Sequence, residues 1–213
     1  MAAREHLRQD GSDGVALVTY PLAFTTLGCP GWSWQEIVQN AVAMGYQGIE
    51  VRGIAGEMDL PSAGPFLPAS RERTKRELAA RGLAICCLGS SVRFDDAGTL
   101  DEHIRSGKEY IDLARDLGAP YIRVFGDRIP SPEREQEISK QVVRGLETLG
   151  TYAAERGVVV LIESHGDFSV SRRLRRIMEQ VSNPAVGVLW DLHHPWRFHG
   201  ESLEETYEAL GPW

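Results

Sequence analysis

Strand-like apolar segments alternate six times with helical patterns along this sequence, which predicts an α/β fold built on a parallel sheet. No Gly-x-Gly-x-x-Gly turn follows any of these strands, so the sequence disfavours a doubly wound, dinucleotide-binding sheet. Charged residues instead stand at the C-terminal ends of four strands, as is typical of a (β/α)8 barrel: Glu50, Arg123, Glu163 and Asp191. A full barrel has eight units and about 250 residues. With six units in 213 residues, the sequence predicts an incomplete barrel of the (β/α)8 type.

The composition is that of a globular protein, with 42% hydrophobic and 25% charged residues. The length suits one domain, predicted over residues 18–213, and the polar residues 1–17 predict a flexible N-terminal extension. The net charge of −7 disfavours a nucleic-acid partner, and no apolar run approaches the roughly 18 residues of a membrane span. Three cysteines without Cys-x-x-Cys spacing are interpreted as reduced core residues of a cytoplasmic protein.

The first half of the chain contains three strand–helix units. Ser33 and Glu36 have the spacing of a capping box, which predicts a helix from this point to Met44. The segment 53–69 contains three prolines and several glycines and predicts a long loop. Apolar runs and helical spacing place the other elements, which are strands at 20–24, 49–52 and 83–88 and helices at 70–81 and 100–117.

The second half repeats this alternation three more times. Pro132 after Ser131 is typical of a first helical turn and predicts a helix to Arg156. Five consecutive apolar residues between Gly157 and Glu163 predict a strand that is buried on both faces. The elements of this half are strands at 120–125, 158–163 and 186–191 and helices at 131–156, 171–181 and 202–210, with a loop at 192–195.

Two of the predicted strands end in a carboxylate that is soon followed by histidine. Glu163 precedes Ser164-His165, and Asp191 precedes Leu192-His193-His194-Pro195. An ionised carboxylate at the buried end of a strand costs several kcal/mol unless it is paired or binds a cation. Oxygen and imidazole ligands suit Mg²⁺, Mn²⁺ or similar ions. The two motifs therefore predict a divalent-metal site, in which carboxylate oxygens of Glu163 and Asp191 approach within about 4–5 Å.

The chain resembles the xylose isomerase-like barrel superfamily, the sugar phosphate isomerase/epimerase group, in these motifs and in Gly48-Ile49-Glu50-Val51-Arg52 and Tyr121-Ile122-Arg123-Val124-Phe125-Gly126. The resemblance implies that Glu163 and Asp191 bind one divalent metal ion (Mn²⁺, Mg²⁺, Co²⁺ or Zn²⁺). It also implies that Glu163 is the catalytic base and that His194 holds a substrate oxygen beside the metal. In the family, a histidine of strand seven and a glutamate of strand eight complete the site. Because the sequence counts only six units, we expect a truncated product of a longer barrel.

The activity implied by this resemblance is metal-dependent isomerisation or epimerisation of a small sugar or hydroxy-carbonyl compound, by proton transfer through an enediolate. The alternatives are a dehydratase or lyase on the same scaffold and a catalytically incomplete barrel fragment. Ser169 stands six positions after Glu163, where ketose 3-epimerases tend to carry a second glutamate, and this departure disfavours that branch. The implied partner is a small sugar-like molecule, without nucleic acid or membrane, and assembly into a homo-oligomer is left open.

Each candidate residue also has a structural interpretation. Glu163 is alternatively a salt-bridged core acid, and Asp191 a cap for the turn at 192–195. His165 and His194 either contact substrate or pack within their loops. Glu50 and Arg123 either contact substrate or form an ion pair with each other across the barrel interior.

Overall fold

The computed structural model of the protein describes residues 20–213, so the extension predicted for residues 1–17 lies outside the described residues. Six strands form one parallel sheet in which each strand pairs with the next along the chain. The strands are β1 (Ala23–Thr25), β2 (Gly48–Val51), β3 (Ala84–Arg93), β4 (Tyr121–Phe125), β5 (Val159–Glu163) and β6 (Val186–Leu189). This order is that of consecutive βα units in a barrel, and the predicted fold class is confirmed. The domain limits of 18–213 and the absence of two further units stay predictions.

Seven helices connect and follow the strands within the described residues: α1 (Trp34–Ala43), α2 (Arg71–Ala80), α3 (Leu100–Leu117), α4 (Glu135–Ala154), α5 (Ser171–Met178), α6 (His193–His199) and α7 (Leu203–Leu210). The capping box of Ser33 and Glu36 begins α1, as predicted, and Ser202 and Glu205 form a second one before α7. Gly118 ends α3 in a left-handed conformation, with φ of 75°, which glycine adopts without strain. Within residues 20–213, no helix combines the length and apolar character that crossing a membrane requires.

The two faces of the sheet differ in character. One face carries aliphatic residues that are fully buried against the helices, among them Ile49, Leu88, Ile122, Val160 and Ile162. The strand registers place another row of residues on the opposite face, which we call the inner face: Glu50, Cys87, Gly89, Arg123, Leu161, Glu163 and Leu189. The charged residues of this row therefore face the interior of the incomplete barrel.

Several element boundaries differ from the expectation, and three of the differences lie near the C-terminal edge of the sheet. β6 ends at Leu189, two residues before Asp191, and β3 continues to Arg93. The segment 192–195, expected to be a loop, instead opens α6. A helix is compatible with Pro195 here because Pro195 lies in the first turn, where the missing backbone N–H has no intrahelical acceptor.

Candidate functional site

Three side chains meet at the C-terminal ends of β5 and β6. Glu163, Asp191 and His194 each offer a ligand atom, and these atoms all lie within 4.8 Å of one another. The register pairs Glu163 with Leu189, so Asp191, two residues further on, follows on the same face. The predicted approach of Glu163 to Asp191 is therefore confirmed, and His194 joins them. The roles of Glu163 and Asp191 as metal ligands, and of Glu163 as base, stay predictions.

The carboxylate of Asp191 has two separate contacts. Its Oδ1 atom accepts backbone hydrogen bonds from His193 at 2.6 Å and from His194 at 3.0 Å, and so caps the start of α6. Its Oδ2 atom lies 2.8 Å from Nδ1 of His194. Burial acts to raise the pKa of Asp191, but the hydrogen bonds from the backbone of His194 and His193 lower it on balance. The capping role considered from the sequence is thus observed, and it uses only one of the two oxygens.

The Nδ1 atom of His194 is buried and has no hydrogen-bond partner, although Oδ2 of Asp191 is close to it. Buried polar atoms are normally satisfied, so this nitrogen calls for another partner. Two carboxylates and one imidazole are a ligand set that divalent ions of the Mg²⁺ to Zn²⁺ series accept. The residues present fit a divalent metal ion.

An ion pair joins Glu163 to Arg123 on the neighbouring strand. Nε of Arg123 lies 2.9 Å from Oε2 of Glu163, and the two side chains are only 5% and 13% exposed. Arg123 also donates from Nη1 to the carbonyl of Ser90 at 2.7 Å and stacks over the ring of Phe125. Within residues 20–213, the expected alternative of a Glu50–Arg123 ion pair is not formed. The cause is the register, because β3 separates Glu50 from Arg123 whereas β5 lies directly beside β4.

The environment of Glu163 makes it a stronger base than an exposed glutamate. Burial raises its pKa, the charges of Asp191 and Glu50 act in the same direction, and Arg123 and His194 act against them. A carboxylate with a raised pKa binds a proton more readily once it is ionised. The arginine meanwhile favours the ionised form, which both metal binding and proton abstraction require.

His165 lies beside the three converging side chains. Its ring is 4.8 Å from that of Phe125 and 4.6 Å from that of His194, measured between centroids. Its Nδ1 atom is buried without a hydrogen-bond partner. Burial, followed by the neighbouring His194, lowers the pKa of His165, which favours the neutral ring. A contact of His165 or His194 with substrate stays a prediction.

Two buried serines hold the segments that follow β5. Ser164 is fully buried, and its Oγ accepts a 2.8 Å hydrogen bond from the backbone N–H of Asp191, which ties the end of β5 to the segment after β6. The sequence analysis did not identify this role. Ser169 is 1% exposed, donates to the carbonyl of Gly166 and lies 2.9 Å from Nε2 of His199. Its hydroxyl is therefore engaged in the loop after β5.

Comparisons with known proteins agree with this fold. A family model described as a xylose isomerase-like TIM barrel matches residues 38–212. No curated protein sequence matches the chain significantly. Of the similar solved structures, the probable 3-DHS dehydratase involved in petrobactin synthesis from Bacillus anthracis has a TM-score of 0.74 and 20% identity, with 91% of this chain and 70% of that chain covered.

Two further structures are similar to this chain. A xylose isomerase-like TIM barrel protein from Mycobacterium smegmatis, in complex with magnesium, has a TM-score of 0.72 at 19% identity, with 92% of this chain and 72% of that one covered. The D-allulose 3-epimerase from Methylomonas sp., in complex with D-allulose, has a TM-score of 0.68 at 18% identity, with coverages of 89% and 68%. Identities this low establish the shared fold. The chain spans about seven tenths of the length of these proteins.

Proposed function

The chain belongs to the xylose isomerase-like TIM barrel family, and from this premise we propose that it is a metal-dependent enzyme. The reaction is isomerisation or epimerisation of a small sugar or hydroxy-carbonyl compound, and it begins with removal of the proton on a carbon next to a carbonyl. The observation that supports this proposal most directly is the convergence of Glu163, Asp191 and His194 within 4.8 Å.

Glu163, Asp191 and His194 are the residues that would hold the ion. A divalent ion, when bound, supplies the positive charge that stabilises negative charge developing on substrate oxygens. Mn²⁺, Mg²⁺, Co²⁺ and Zn²⁺ are all compatible with two carboxylates and an imidazole. The magnesium in the Mycobacterium smegmatis structure supports this choice of ion class.

Glu163 is the base in this proposal. Its raised pKa favours acceptance of a proton, and the ion pair with Arg123 holds the carboxylate in one position on the inner face. His165 flanks the same point, with its ring 4.6 Å from that of His194, and is suited to hold a substrate hydroxyl group. Arg123 restricts the motion of the base and so orients it toward a substrate carbon.

Dehydration is the second candidate function, because it can begin with the same proton removal. One observation favours it over 3-epimerisation of a ketose: Ser169, at the position of the second glutamate of that branch, is buried and hydrogen-bonded within its loop. The similar structures include both a probable dehydratase and an epimerase. The two candidates share the metal ligands and the base, and they differ in the group that leaves.

Two measurements test the proposal. Titration calorimetry with Mn²⁺ should detect one ion per chain in the wild-type protein and weaker binding in Asp191→Asn. With metal present, hydroxy-carbonyl compounds such as dihydroxyacetone, D-fructose and D-allulose should exchange the proton next to the carbonyl for deuterium in D₂O, followed by NMR. Glu163→Gln should remove this exchange. A wild-type chain without affinity for any of the four ions would overturn the proposal.

A further inference from the structure

The exposed apolar side chains of the protein are concentrated at the two edges of the sheet. β1 and β6 are the outermost strands, and within residues 20–213 each of them pairs with one neighbour only. Isolated exposed apolar residues are ordinary, whereas a concentration of them beside an unpaired strand marks an interaction surface. Ten large apolar side chains near these strands are exposed: Tyr20, Leu22, Leu27, Val42 and Met44 around β1 and α1, and Leu192, Trp196, Phe198, Leu203 and Tyr207 on and beside α6 and α7.

The surface beside β1 is a cleft. It has a volume of about 300 Å³ and is lined mainly by Phe24, Cys29, Trp32, Met44 and Tyr46. The rings of Phe24 and Tyr46 pack 5.2 Å apart in its wall. Among residues 20–48 the only charged residue is Glu36, whose carboxylate accepts hydrogen bonds from Ser33 in the capping box. The cleft is therefore apolar, and no charge in this segment opposes its burial under another apolar surface.

The surface near β6 instead projects aromatic side chains. On α6, Trp196 is 59% and Phe198 62% exposed, and the ring of His193 lies 6.3 Å from the first and 5.9 Å from the second. On α7, Leu203 and Tyr207 are one helical turn apart, so they share a face, and both are more than half exposed. We call these residues the α6–α7 patch. Each aromatic side chain that a partner covers buries about 150–250 Å².

The cleft and the patch lie at corresponding levels of the sheet. Cys29 and Trp32 follow the C-terminal end of β1, and α6 follows the C-terminal end of β6. If a second copy places its β1 beside β6 in the parallel direction, these ends meet. The aromatic residues of α6 then face the Cys29 side of the cleft, and α7 faces Met44 at the end of α1. The two edge strands have similar lengths, with three residues in β1 and four in β6.

We propose that the cleft beside β1 receives the α6–α7 patch of a second copy of this chain. The partner is a second copy because the concave and the projecting surface both belong to this chain, at opposite edges of one parallel sheet. The contact joins two different surfaces, so it is heterologous, and each chain offers one cleft and one patch. Phe198 connects the contact to the candidate site, since its ring stacks on that of His194 at 5.4 Å between centroids. Assembly thus also shields His194 from water.

The first test is sedimentation velocity of the 213-residue chain over a series of concentrations. The wild-type chain should self-associate. Met44→Asp places a charge in the cleft and Trp196→Asp one in the patch, and each should weaken association about tenfold or more. Leu67→Asp is the matched control, because Leu67 is an exposed apolar residue outside both edges, and it should associate like the wild-type chain. Circular dichroism checks that the variants are folded, as expected for substitutions of exposed side chains.

A mixing experiment tests that the contact is heterologous. Met44→Asp keeps an intact patch and Trp196→Asp keeps an intact cleft, so their equimolar mixture should form a two-chain complex of about wild-type affinity. The double variant should bind neither single variant through its altered surfaces and should stay monomeric. If patches instead bind patches, Met44→Asp associates like the wild-type chain, and this result overturns the proposal. A wild-type chain that is monomeric at every concentration also overturns it and leaves both surfaces to a different protein, as does a Leu67→Asp chain that associates as weakly as Trp196→Asp.

Discussion

The Nε atom of Arg123 lies 2.9 Å from Oε2 of Glu163, although the two residues belong to different strands. The register between β4 and β5 pairs Arg123 with Leu161, which places Glu163 two residues further on along the same face. A buried cation thus accompanies the carboxylate that we propose as the base. Burial raises the pKa of Glu163, and the arginine opposes that rise. The pair therefore couples the stability of the fold to the chemistry of the site.

Replacing Arg123 with methionine should destabilise the protein by about 3 kcal/mol at pH 7, because it leaves the carboxylate of Glu163 buried without its cation. Urea denaturation of the metal-free chain measures the change in the free energy of unfolding. Arg123→Lys keeps the charge and should cost less. If both variants lose the same amount, the stacking of Arg123 on Phe125, and not its charge, is what stabilises this region.

Glu163 should make the metal-free protein less stable as the pH rises. Its pKa in the folded chain is raised above the ordinary value of 4.5, so between 4.5 and the folded pKa the folded state binds more protons than the unfolded state. The free energy of unfolding then falls with increasing pH across this window. Glu163→Gln lacks the titrating carboxyl group. The free energy of unfolding of the wild-type chain should therefore fall with pH relative to that of the variant, as urea denaturation at each pH measures. Parallel curves would contradict the raised pKa.

Asp191 combines two roles that substitutions can separate. Asp191→Asn keeps an oxygen to cap α6 but loses the negative charge, so it should retain most of the stability and weaken Mn²⁺ binding. Asp191→Ala loses both, with a further cost of about 1 kcal/mol in the free energy of unfolding. Calorimetric Mn²⁺ titrations and urea denaturation of both variants measure the two effects. Equal stability of the two variants would contradict the capping role.

The order of the six strands followed from the alternation of apolar runs and helical patterns, because parallel strands joined by helices usually lie side by side. The observed element boundaries differ from the predicted ones where the contacts of a single side chain determine them. Asp191 lies beyond β6 and caps α6, so residues 193–195 are helical although they include Pro195. Hydrophobic periodicity does not contain this information, because a carboxylate acting through the backbone leaves no apolar pattern.

The sequence predicted part of the site, because the order of the strands determines which strand ends are neighbours. Glu163 ends β5 and Asp191 follows the end of β6 by two residues, so the pairing of these two strands brings the carboxylates together. The partner of Arg123 was not predictable from the sequence, since Glu50 and Glu163 both lie on the inner face. Only the structure shows that Glu163, on the strand next to β4, forms the ion pair.

Ser164 is the residue whose importance only the packing of β5 against β6 reveals, and it is open to a direct test. Ser164→Ala removes the acceptor for the backbone N–H of Asp191, and leaving this group unpaired should cost about 1–2 kcal/mol. Because Asp191 then loses its anchor, Mn²⁺ affinity should fall about tenfold, as is usual for residues that hold a metal ligand in place. Ser169→Ala is the matched control.

Ser169, like Ser164, is a buried serine with a backbone hydrogen bond, but its partner is Gly166, which is not among the converging side chains. Its loss should lower stability by a similar amount and leave Mn²⁺ affinity unchanged. Calorimetric titration of both alanine variants with Mn²⁺, together with urea denaturation, separates the two effects. Equal Mn²⁺ affinity in Ser164→Ala and the wild-type chain would mean that Asp191 keeps its position through the contacts of Oδ1 alone.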